Sequence, residues 1–129
     1  MTRRRYALAG LACAVLLIQA AHAQTATGGD AGAGKAVFQQ QCAICHSAVA
    51  GKNMTGPSLF GIVDRKAGAV EGFHYSPANQ SSGMVWTQSE LDIYLLSPRD
   101  TVPHTIMTYG GLKDAQKRAD LIAYLATLH

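Results

Sequence analysis

The sequence has no alternating apolar and polar run, no β-α-β pattern and no internal repeat, which excludes sheet architectures and repeat arrays. Its longest apolar stretch, Tyr6 to Ile18, falls short of the roughly 20 residues that a membrane span needs. Cysteine is scarce: Cys13, Cys42 and Cys45 are the only three. Nothing accompanies Cys42 and Cys45 as a second Cys/His pair at zinc spacing, so a closed four-ligand zinc site is excluded. Charge is low at 15%, and the formal net charge is only +3 over 129 residues. The length suggests one domain.

What is present begins with an export signal. Arg3, Arg4 and Arg5 precede the apolar stretch, and Ala21-His22-Ala23 supplies small residues on either side of a cleavage point. Residues 1–23 are therefore expected to be removed, with a mature start at Gln24 in the periplasm. Without the three arginines, the eleven Lys and Arg residues fall to eight and match the eight Asp and Glu residues. The positive charge belongs to the signal. A basic surface for nucleic acid or an acidic membrane is not expected, and neither is an integral span after cleavage.

The chemistry-bearing stretch is Cys42-Ala43-Ile44-Cys45-His46. Two cysteines three apart, followed at once by histidine, form the attachment pattern of a c-type haem. Each thiol adds across one haem vinyl group to give a thioether, and the adjacent His46 can ligate iron from one face. A thioredoxin-like redox pair would need a β-α-β setting, which is missing. In an oxidising compartment a disulfide is the other reading, and His46 tips the balance to haem.

Around this motif the punctuation predicts three to five helices with long loops, an all-α fold. Residues 24–30 form a flexible arm, and residues 31–129 form the domain. Asp30 caps a helix from Ala31 to about Cys42, on which Gly34 and Phe38 share a face. Ser47 to Gly72 is broken by Gly51, Gly56, Pro57, Gly61, Gly68 and Gly72. A loop of this length makes sense if it wraps a large apolar cofactor that replaces a missing core. Ser76-Pro77 opens a helix that Gly83 stops. Thr87-Gln88-Ser89-Glu90 is a capping box, with Leu91, Tyr94 and Leu95 inward until Ser97-Pro98. Arg99 to Gly111 reads as irregular. Asp114 caps a last helix whose stripe is Leu121, Ile122, Tyr124, Leu125 and Leu128. A domain this small needs a staple, and covalent haem is one.

An iron with His46 on one side leaves Met54, Met84, Met107, His74, His104 and His129 as further ligands. Methionine in a loop is most often a gap filler. Met107 is set apart by Pro103-His104-Thr105-Ile106, a loop long enough to approach the open haem face.

Beyond the haem motif, ordered stretches resemble the class I soluble cytochromes c, near mitochondrial cytochrome c and bacterial cytochrome c2. They are Thr55-Gly56-Pro57-Ser58-Leu59, Gly61 to Gly68, Gly72 to Asn79, Val85-Trp86-Thr87, Pro103 to Gly111 and Arg118 to Leu125. The resemblance implies an all-α fold in which the first and last helices cross near Gly34, Phe38, Leu121 and Tyr124. It places the axial methionine at Met107, with bis-histidine ligation through His104 as the alternative. It gives the Pro57 carbonyl the second ring proton of His46. Tyr75 and Trp86 would donate to a haem propionate, Arg65 would offset charge nearby, and Asn79, Tyr94 and Thr105 would join the network around propionate and Met107. Packing alone would also explain several of these side chains. A thioether ligand is soft and neutral and favours ferrous iron.

The chain departs from the mitochondrial pattern where lysines ring the haem edge. Gln41, Met54 and Ile106 stand there instead, while Arg99 and Lys113 keep charge and Asp100 opposes it. His104 replaces a glycine, and Tyr109 replaces a phenylalanine. Docking through apolar contact around Ile106 is therefore expected to outweigh charge steering, and His104 is expected to make the potential pH-dependent. The function implied is a monomeric periplasmic one-electron carrier, not an enzyme. It would take electrons from a membrane complex or periplasmic dehydrogenase and pass them to an oxidase or reductase. A dedicated electron-accepting subunit of one dehydrogenase and a haem peroxidase or sensor with an open sixth position are the alternatives.

Overall fold

In the computed structural model, residues 28–129 are described. The export segment and the arm up to residue 27 lie outside them. Helix α1, Ala31–Gln41, starts where the Asp30 carboxylate accepts the Ala33 N–H at 2.8 Å. An N-cap of this kind satisfies one of the donors that a helix start leaves unpaired. Helix α5, Ala115–Leu125, starts the same way on Asp114, which accepts from Lys117 N at 3.0 Å.

These two helices cross in contact, because Gly34 has no side chain. A Cβ there would stand 1.9 Å from the Asp120 carbonyl oxygen, inside any van der Waals distance. The Phe38 and Tyr124 rings tilt together at 5.4 Å, and Leu121 beneath them is only 1% exposed. Asp30 N donates to Asp120 Oδ1 at 2.8 Å, and Gly29 lies against the Ala119 carbonyl. The end of the arm is thus docked on α5.

Three shorter helices complete the set of five. Helix α2, Pro77–Ser81, begins on the Ser76 hydroxyl, and Gly83 takes the left-handed φ of +68° that ends it. Helix α3, Gln88–Leu96, begins on Thr87, whose hydroxyl accepts Glu90 N at 3.2 Å. Leu91, Tyr94 and Leu95 point inward as the periodicity requires. Pro98 does not simply end α3. It opens one further helical turn, α4, Pro98–Thr101, inside a stretch that reads as irregular from Arg99. Proline suits a first helical position because its missing N–H would be unpaired there anyway. α3 packs against both α4 and α5.

No strand occurs among the described residues, and the only sheet-like pairing there is a single bridge between Lys66 and Val85. Side chains hold the long loop instead. Ser58 Oγ donates to Val49 O at 2.7 Å, and Asn53 accepts from Ser58 N while donating to Glu71 O, both at 3.0 Å. Gly61 N closes the loop onto Leu128 O. Near the C-terminus, buried Arg118 pairs with Asp92 at 2.8 Å and donates to the Leu112 and Lys113 carbonyls. That pins the point where the Met107 loop rejoins α5.

Candidate functional site

The interior does not close on itself. Ile62, Trp86, Leu91, Tyr94, Leu95, Leu121 and Leu125 surround an apolar cavity of about 570 Å³. Cys42, Cys45 and His46 stand on its walls at the end of α1, and Met107 reaches it from the loop after α4. The sequence separates these groups by more than half the domain. The fold brings them to one space.

His46 is the most constrained of them. Its Nδ1 lies 2.8 Å from the Pro57 carbonyl oxygen. A carbonyl only accepts, so Nδ1 carries the proton and Nε2 keeps its lone pair. The other side of the ring rests on the backbone of Gly56, where a Cβ would meet Cε1 at 2.3 Å. Gly56 N in turn donates to Cys45 O at 2.8 Å, which folds the loop back onto the motif. Burial lowers the imidazole pKa, and the Pro57 hydrogen bond offsets part of that. Burial favours the neutral ring and the Pro57 bond orients it, the form that binds a metal.

As a free thiol Cys42 is poorly suited to exchange chemistry. Burial, and then the neighbouring Cys45, push Cys42 up to about 11. Thiol–disulfide exchange needs the opposite shift. The described residues contain no disulfide between them.

On the loop after α4 the Tyr94 hydroxyl donates to Met107 Sδ at 3.2 Å, and Thr105 Oγ1 accepts from Met107 N at 3.3 Å. Burial raises the Tyr94 pKa, with a Thr105 hydrogen bond opposing it, so Tyr94 stays a neutral donor. One sulfur lone pair is used by Tyr94 and the other remains. Thr105, Ile106 and Met107 all line the cavity, whereas His104 is exposed and does not. His104 also adopts φ +66°, the left-handed region. Of these two candidates on the loop, Met107 lines the cavity and His104 does not.

Polar groups gather at one part of the wall. Arg65 donates through its terminal nitrogens to Phe60 O at 2.8 Å and Ser58 O at 3.0 Å. Its Nε is buried without a partner, and so is Asn79 Oδ1. The two ends of an Asn amide are nearly indistinguishable, so a flip presents a donor in its place. The Tyr75 hydroxyl accepts from Val70 N at 3.3 Å and keeps its own proton to give. Its pKa is raised by burial, with Val70 and Arg65 pulling back. Trp86 stacks on Tyr94 at 4.7 Å. Arg65, Tyr75, Asn79 and Trp86 all line the cavity. Orphaned buried polar atoms are costly unless something pairs with them.

These residues fit a covalently held haem. The cavity is mostly apolar, two thiols, one oriented imidazole and one thioether line it, and buried polar atoms without partners are ready for carboxylates. Such a set presents an imidazole nitrogen and a thioether sulfur to a group held in the cavity. At the mouth, Ile44 is 81% exposed and Ile106 63%. Two contacts have no signal in the sequence. One is the Gly56 shelf beneath His46. The other is a bond from the Tyr109 hydroxyl to Gln41 Oε1, between residues 68 positions apart.

Comparison with known proteins gives a consistent answer. The family model described as "Cytochrome c" matches residues 31–129. Cytochrome c2 from Rhodopila globiformis is 49% identical over 100 residues, spanning 78% of this chain and 94% of that one. Cytochrome c2 from Blastochloris viridis is 44% identical over 111 residues, or 85% and 87% of the two chains. Among solved structures, cytochrome cH from Methylobacterium extorquens superposes with a TM-score of 0.73 at 42% identity, covering 77% of this chain and 99% of its own.

Proposed function

The chain belongs to the cytochrome c family, electron carriers with a covalent c-type haem, and from that premise we propose that His46 and Met107 hold the iron in both redox states of a periplasmic shuttle. The observation that carries this reading is that two separately oriented donors, from distant parts of the chain, line one cavity. His46 is fixed by Pro57, and Met107 is fixed by Tyr94.

Bound haem supplies an iron that exchanges one electron between its ferrous and ferric states. The residues supply the rest. Cys42 and Cys45 fix the plane of the group at the end of α1. His46, with Nδ1 committed to Pro57, presents only Nε2 and cannot rotate. Met107 adds a soft neutral donor that favours the lower charge. The apolar wall of Ile62, Leu91 and Leu95 disfavours extra positive charge and excludes water. Arg65, Tyr75, Asn79 and Trp86 offer partners for the propionates. Since each ligand is held by a hydrogen bond of its own, little has to move when an electron arrives. With His46 and Met107 both holding the iron, a substrate would find no place to bind there, which favours a carrier over a peroxidase or sensor.

The exposed Ile44 and Ile106 at the mouth favour apolar docking by a donor and an acceptor. We infer export from the Arg3–Ala23 signal, which puts those partners in the periplasm.

A visible spectrum of the haem-loaded protein tests the ligation. Sharp reduced c-type bands with a weak long-wavelength iron–sulfur band on oxidation are expected, and Met107→Ala should abolish the iron–sulfur band. Sharp bands without the sulfur feature in the parent would refute Met107, and a high-spin parent would refute the carrier reading.

A further inference from the structure

We propose that Tyr109 and Gln41 form a clamp that holds the Met107 loop closed over the haem site, so that this neutral hydrogen bond sets how often the sixth ligand lets go. The inference rests on the His46/Met107 reading. It concerns two positions where the chain differs from the mitochondrial pattern.

The loop needs such a clamp. From Ile106 to Asp114 it has no regular secondary structure. Its far end is fastened: Leu112 N donates to Leu95 O at 2.7 Å, Lys113 Nζ to Leu96 O at 2.7 Å, and Arg118 grips the Leu112 and Lys113 carbonyls. Its near end is fastened by Thr105 N on Val102 O. Between these anchors, only two hydrogen bonds among the described residues join the loop to the body. One is Tyr94 to Met107 Sδ, and the other is Tyr109 to Gln41. The first acts on the ligand atom itself and is lost when Met107 swings away. The second grips the loop independently of the sulfur.

Its attachment point is well chosen. Gln41 is the last residue of α1, directly before Cys42, so the clamp ties the Met107 side to the element that carries the haem thioethers. Both partners line the cavity mouth, and Tyr109 is half-buried. Neither partner is charged, so salt should not loosen the bond as it would an ion pair. Tyr109 is a positioning residue in this role. Phenylalanine would fill the same space but could not donate.

Imidazole binding to the ferric, haem-loaded protein reads the clamp directly. The added ligand must wait for Met107 to leave, so its apparent affinity scales with the fraction of open loop. Removing one neutral hydrogen bond shifts such an equilibrium by about fivefold. Tyr109→Phe and Gln41→Ala should each raise imidazole affinity by about that factor. The double variant should go no further than either single one, because both remove the same interaction. Gln41→Glu keeps an acceptor and should stay within about twofold of the parent. Mere loss of packing elsewhere would lower the unfolding midpoint without moving imidazole affinity.

The proposal is overturned if Tyr109→Phe and Gln41→Ala leave the affinity within about twofold of the parent, or if their effects multiply independently. Should Tyr109→Phe fail to load haem, the contrast between Gln41→Ala and Gln41→Glu decides. The parent's iron–sulfur band checks the Met107 reading separately, so failure of the ligation and failure of the clamp give different results.

Discussion

Replacing Gly56 with alanine should damage the site through the imidazole it supports, although position 56 carries no chemistry of its own. An added Cβ would stand 2.3 Å from His46 Cε1, 2.7 Å from Nδ1 and 2.8 Å from Nε2. Reaching ordinary contact at 3.4 Å requires the ring or the loop to retreat by about 1.1 Å. A flexible side chain would give way at little cost. This ring cannot, because Nδ1 is bonded to Pro57 O and the residue follows Cys45 directly. The loop is no freer, since Gly56 N is bonded to Cys45 O. Overpacking costs about 1–3 kcal/mol, and a buried imidazole N–H left without its acceptor costs a similar amount. Together they suggest a loss of about 3 kcal/mol, which lowers a urea midpoint by roughly 1–2 M at a slope near 2 kcal/mol per molar. The assay is urea unfolding of the haem-loaded protein by far-ultraviolet circular dichroism, with the visible spectrum recorded in parallel. A midpoint within about 0.3 M of the parent would refute the idea that Gly56 is the shelf on which His46 is oriented.

His104 adopts φ +66° without being glycine. A side chain there costs about 1–2 kcal/mol, of which glycine's extra unfolded freedom takes back about 0.5–1 kcal/mol. His104→Gly should therefore raise the thermal midpoint by roughly 4 °C; a lower midpoint would show that the imidazole makes a stabilising contact.

What could be read from the sequence was local. Asp30, Ser76, Thr87 and Asp114 each cap a helix where the pattern places one, because a cap is decided within four residues. The Cys42-to-His46 motif was legible for the same reason. Pro57 and Met107 were legible through resemblance, and the fold sets both at the cavity. The contacts that complete the site are of another kind. Tyr109 and Gln41 meet across 68 positions, and no periodicity relates them. The sequence marks Arg65 as a cation, but not that its two terminal nitrogens each donate to a loop carbonyl, of Phe60 and Ser58, while Nε is buried without a partner. Such pairings depend on where a loop returns, which a one-dimensional pattern does not encode. The short helix α4 escaped because proline was read as a terminator, when it serves equally as a beginning.

The two sides of the site are held in unequal ways, and the inequality has a direction. On the His46 side the ligand follows directly on a cysteine of the haem motif. Its ring has a backbone acceptor at Pro57, and the loop beneath it is tied back through Gly56. Moving the imidazole means breaking several constraints at once, two of them backbone contacts. On the Met107 side the ligand sits in the middle of an unstructured loop, fastened firmly only at its ends. The centre is held by two tyrosine hydroxyls, each contributing about 1 kcal/mol. Local opening follows the weakest set of contacts, so on the proposed ligation exchange at the iron would begin with Met107. An electron carrier tolerates this asymmetry, provided that the loop stays closed through each transfer. Keeping it closed is what two neutral hydroxyl bonds, unaffected by salt, are suited to do.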